Sequence, residues 1–156
     1  MLISSWEREF QTTLKVLKAF PAHRKDFKPH EKARSAKELA WTFVMEEKTG
    51  IAGALSGKID FQTSPPPVEM KDVIAEYEKI HKESVAQLKK LSDQDLNSTM
   101  KFPVAPKTMG DLRRIDVIWA TITDMIHHRG QFSVYLRMVD GKVPSIYGPS
   151  ADEPWQ

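Results

Sequence analysis

The sequence predicts an all-α fold, a four-helix bundle with one long connection between its third and fourth helices. Three observations predict it. Four long segments place apolar residues at spacings of three and four. Capping and stop signals frame those segments. No stretch shows a period-two alternation strong enough to define a strand. The 156 residues make a single domain, 1–156, with an irregular tail from about residue 140.

The first helix spans Leu2 to Phe20, where Ile3, Trp6, Phe10, Leu14 and Leu17 share one face and Pro21 stops the chain. After a loop, Ser35-Ala36-Lys37-Glu38 reads as a capping box that opens helix two. Leu39, Phe43, Ile51 and Leu55 carry that helix to Gly57, a C-terminal glycine. Gly50 and Gly53 within it suggest close packing against a neighbour. Pro65-Pro66-Pro67 leads into helix three, about Val68 to Leu91, with Val73, Ile74, Tyr77, Ile80, Val85 and Leu88 for the core. Ser92 to Asn97 is a short helical turn, and Met100 to Lys107 is extended. Thr108 with Asp111 reads as a second capping box, so helix four is expected from there to about Val139, closed by Gly141. The proline-rich tail is turn and coil.

Composition excludes several classes. Hydrophobic residues make up 40% and charged residues 28%, a soluble globular balance. The net charge of +2 is spread along the chain, without the basic face of a nucleic-acid protein. There is no cysteine, hence no disulfide, thiolate ligand or cysteine nucleophile, which fits a cytoplasmic location. No apolar run approaches the roughly 18 residues of a membrane span. Glu7, Arg8 and Glu9 stand where a signal peptide needs an apolar region, so secretion is not expected.

The chemistry concentrates on helix four. Leu112, Ile115, Ile118, Ile122, Met125, Ile126 and Leu136 form its core stripe. Asp124 and His128, four apart, point the same way, along a strip with Val117, Thr121, Gln131 and Tyr135 that suits a cleft wall. His127 faces elsewhere. An imidazole and a carboxylate one turn apart can share a divalent metal. They can equally form an acid-base pair, or a surface hydrogen bond that supports the helix. Arg129 falls within the core stripe, where a guanidinium requires a partner. An ion pair with a carboxylate on another helix is the expectation, ahead of substrate binding. Gly130 inside the helix implies close approach of a backbone or ligand.

These residues carry a family resemblance. His127-His128-Arg129-Gly130-Gln131, then Tyr135-Leu136-Arg137 and Gly141 to Ser150, resemble the C-terminal half of a DinB/YfiT-like protein. The resemblance extends to Leu17–Asp60, where Lys28-Pro29 precedes Ser35-Ala36-Lys37-Glu38-Leu39-Ala40. It implies an up-down-down-up bundle, frequently dimeric, with a metal between helices two and four. The family's usual ligands are three histidines, one on helix two and two on helix four at HxxxHRGQ spacing. His128 matches the last of them; Asp124 occupies the position four before it, and Thr42 the position on helix two. The histidine triad is therefore incomplete, with Asp124 as a replacement and Glu46, one turn beyond Thr42, as a further carboxylate. His23, His30 and His81 lie outside the pattern and are expected at the surface.

Three functions follow from the resemblance. In the first, the chain is a metal-dependent transferase, or a related isomerase or hydrolase, acting with a small thiol such as bacillithiol, mycothiol or glutathione. Nickel or zinc on His128 and Asp124 would activate the thiol, within a cleft lined by Thr42, Glu46, Gln131 and Tyr135. In the second, the chain is a non-catalytic binder of a small polar ligand. In the third, a homodimer with a degenerate site is structural, with aromatics such as Trp6 or Trp155 exposed to partners.

Overall fold

The structure, a computed structural model, describes residues 1–156. It is mostly helical. Helix α1 (Leu2–Ala19) ends before Pro21, and α2 (Ala36–Glu46) begins at the Ser35–Glu38 capping box, with both reciprocal hydrogen bonds formed. Helix α2 runs on through a π-helical turn, Glu47–Ile51, into α3 (Ala52–Ser56). Gly57 closes this run in the left-handed region at φ 79°, where a side chain would be strained. Helix α4 (Met70–Leu88), the short α5 (Asp93–Asn97) and the long α6 (Arg114–Met138) complete the helices.

The expected all-α fold is corrected at one place. Thr99–Ala105 (β1) and Thr108–Arg113 (β2) pair as an antiparallel hairpin, Met100 opposite Leu112 and Phe102 opposite Gly110. Helix α6 therefore starts at Arg114 rather than Thr108. Asp111 does not cap a helix; its carboxylate accepts from Lys101 Nζ at 2.7 Å across the ladder. Met100, Phe102 and Val104 do alternate with Lys101 and Pro103, but Pro103 and Pro106 mask the pattern. Pro106 and Lys107 make the turn, with Lys107 at φ 58°. Arg113 then pairs with Asp116 in the first turn of α6, where a carboxylate suits the helix dipole.

Helices α1, α2, α4 and α6 pack on one another around two apolar clusters. One is built on Phe10, Phe43, Tyr77, Phe132 and Leu136, the other on Trp6, Ile51, Leu55, Ile118 and Ile122. Trp6 is thus buried, not an exposed partner surface, while Trp155 is exposed. His81 lies between the clusters, edge-on to Trp6 at 4.6 Å and stacked on Phe10 at 3.7 Å. It is not a surface histidine: it is 3% exposed, and its Nδ1 sits 2.8 Å from Glu47 Oε1. Val73, Tyr77, His81, Ser84 and Leu88 form one buried stripe of α4, and that spacing was the available signal.

Helices α2 and α6 run antiparallel. Tyr135 OH donates to Arg34 O, Glu46 lies beside His128, and Gly50 meets Thr121. A Cβ on Gly50 would lie 2.4 Å from Thr121 Oγ1, so glycine permits this crossing. Gly130 differs from the expectation, since nothing lies within 4 Å of a Cβ built there.

Candidate metal centre

Glu46, Asp124 and His128 converge between α2 and α6, each offering a ligand atom within 4.8 Å of the others. His128 Nε2 lies 3.1 Å from Glu46 Oε1 and 3.6 Å from Asp124 Oδ2. Asp124 and His128 meet because four residues bring side chains onto one helical face. Glu46 reaches them from the last residue of α2, one turn before the Gly50–Thr121 contact. Thr42 is one turn too early. Its hydroxyl donates to Glu38 O and accepts from Arg34 Nη1 at 3.0 Å.

Burial pushes the Glu46 carboxyl up to about 7, against the His128 hydrogen bond and charge that lower it. His128 is raised, first by its hydrogen bond to Glu46. Glu46 Oε2 is buried with no hydrogen-bond partner. An orphaned carboxylate oxygen beside an imidazole and a second carboxylate is a donor set that a divalent cation fits.

Gln131 holds both histidines of the motif. Its Oε1 lies 3.2 Å from His128 Nδ1, and its amide nitrogen 2.8 Å from His127 Nε2. With Nδ1–H donating to that oxygen, His128 presents Nε2 as its lone-pair donor toward the cluster. His127 is exposed and makes no contact with the carboxylates.

The carboxylates open onto a cleft of about 790 Å³. Trp41, Thr42, Met45, Glu46 and Gly50 line it from the α2 side, and Thr121 and Asp124 from α6. The loop after Gly57 adds Ile59, Phe61 and Pro66, and the hairpin adds Phe102. Gln131 and Tyr135 do not line this cleft; with His128 they line an adjoining depression that shares Ala33 and Arg34. Arg129 points away from both. Its buried guanidinium pairs with Glu9 of α1 at 2.8 Å and donates to Thr13 and Tyr147.

The chain matches the DinB family over residues 1–155. It belongs to the DinB family. Solved structures agree in fold. A DinB-like protein from Bacillus cereus ATCC 10987 superposes with a TM-score of 0.79 at 23% identity, covering 92% of this chain and 94% of that one. The DinB-like protein YjoA from Bacillus subtilis gives 0.75 at 17% identity, covering 92% and 96%. A comparison with curated proteins gives no match. In this DinB-family chain the three convergent groups are one imidazole and two carboxylates.

Proposed function

We propose that the chain is a metal-dependent transferase acting with a low-molecular-weight thiol, its divalent cation held by Glu46, Asp124 and His128. The observation that carries this reading is the convergence of three ligand atoms within 4.8 Å, one carboxylate oxygen being buried and unpartnered. Three protein ligands with a face open to a cleft are what a catalytic rather than a structural cation needs. When bound, the cation supplies Lewis acidity that favours the thiolate form of a thiol at neutral pH. Gln131 fixes the His128 ring so that Nε2 faces the cluster. Glu46 must lose its proton for the cation to enter. The walls at Trp41, Phe61 and Phe102 offer the second substrate an apolar surface.

Nickel and zinc both suit this nitrogen-and-oxygen donor set. An up-down-down-up course and a homodimer belong to the same reading; light scattering coupled to size exclusion checks the dimer. The deciding experiment is elemental analysis of protein purified without chelators or a histidine tag. About one nickel or zinc per chain, lost in His128→Ala, is the expected result. Metal-free protein that takes up neither ion when supplied would sink the proposal and leave a non-catalytic binding role.

A further inference from the structure

The cleft carries charges of both signs. Glu46 and Asp124 line it, as do Lys32, Arg34 and Glu38, with Trp41, Phe61 and Phe102 among the walls; Arg34 is held at Thr42, one helical turn before Glu46. Neither Lys32 nor Arg34 takes part in any ion pair of the chain. Arg34 donates one side-chain hydrogen bond, from Nη1 to Thr42 Oγ1, which leaves most of its guanidinium fork free. Glu38, which also lines the cleft, is engaged in the capping box, its Oε2 accepting from Ser35 N at 2.7 Å. The Trp41 indole is fixed by donating to Ser64 O at 2.6 Å, so this part of the wall is preformed.

We infer that this cleft binds a small carboxylic acid with an aromatic or aliphatic body. The carboxylate lies on Arg34, with Lys32 adding charge, and the body runs along Trp41, Phe61 and Phe102. A planar guanidinium without a carboxylate partner matches an incoming carboxylate in a two-pronged geometry. The inference deepens the proposed function and rests on it for which end of the ligand reacts. Thr42, which receives Arg34, is one helical turn from Glu46, about 6 Å of rise. The ligand therefore carries its anionic group a few bonds from its reacting group. That excludes bulky polyanions such as nucleotides from this pose.

The test is an NMR titration of isotope-labelled protein with 4-phenylbutanoate, 4-phenylbutanamide and 4-phenylbutylamine, with and without added zinc. The carboxylate is expected to bind about tenfold more tightly than the amide, with the amine weakest. It should move the Trp41 indole signal. Arg34→Met should abolish the preference, and Arg34→Gln should do the same if the methionine variant folds poorly. Equal affinity for acid and amide overturns the inference, as does no binding of the acid at millimolar concentration. So does a preference that survives in both variants, and so does one that requires zinc, since the carboxylate would then sit on the cation. Because Arg34 is not among the proposed metal ligands, the preference should persist in metal-free protein. Failure of metal binding and failure of this subsite are thereby told apart.

Discussion

Glu46 and Glu47 are consecutive, yet their side chains are committed to opposite sides of the same helix. Glu46 faces the cleft and approaches His128 at 3.1 Å; Glu47, fully buried, approaches His81 at 2.8 Å. The π-helical turn that starts at Glu47 closes with Ala52 N–H donating to Glu47 O, one residue wider than an α-turn. Two carboxylates thus stand within one turn, each against an imidazole, Glu47 buried in the core and Glu46 half-buried at the cleft.

The cluster should respond to pH with a definite sign. Glu46 is raised from 4.5 to about 7 and His128 is raised from 6.5, so the folded, metal-free protein holds extra protons near neutrality. That stability is present at acid pH and is lost as pH rises toward and past 7. For Glu46 it amounts to at most about 3 kcal/mol. A cation replaces those protons, so added zinc or nickel should raise the melting temperature more at pH 8 than at pH 6. Differential scanning fluorimetry across that range checks it; equal stabilisation at both values would remove Glu46 from the ligand set.

Replacing Glu46 by glutamine tests the same group without removing its bulk. Metal affinity should fall by at least about tenfold, since one anionic ligand is lost, while the fold is retained. Thr42→Ala should leave affinity unchanged, because the Thr42 hydroxyl is engaged by Arg34 and Glu38. Isothermal titration with zinc reads both.

The second buried pair should matter for stability. His81→Leu leaves Glu47 in the core without its imidazole and should cost about 3–5 kcal/mol in urea unfolding. Glu47→Leu combined with His81→Leu should cost clearly less than His81→Leu alone. A double variant as unstable as the single one would mean that packing, not charge, dominates.

Gly50→Ala should destabilise by about 1–3 kcal/mol and weaken metal binding, because the new methyl meets Thr121 Oγ1 and Cγ2. Thr121→Ala in the same chain removes both atoms and should recover much of each loss. Denaturation and metal titration on the double variant decide it.

Helical spacing, a local property, paired Asp124 with His128 in the sequence, whereas Glu46 entered only through the family resemblance, one turn beyond Thr42. The sequence could not show that Gly50 crosses Thr121 and so brings Glu46, not Thr42, level with the imidazole. That is a register between elements, set by packing. His81 escaped for a related reason: a histidine on an apolar stripe looks like surface until its buried partner, 34 residues away, is in view. The hairpin was lost because prolines hid its alternation, and Gly130 misled because a helical glycine does not always mark a contact.

The wide turn at Glu47–Ile51 also sets a phase. Wound as ordinary α-helix with no residue removed, the same stretch would rotate everything beyond it by about 100° relative to α2. Ile51, Ala54 and Leu55, all in the cluster around Trp6, would swing away from it, while Phe43 and Val44 stayed seated in the other. The two halves of the interior are keyed to each other by a single residue of chain length, and the carboxylate that faces the cleft sits at the key.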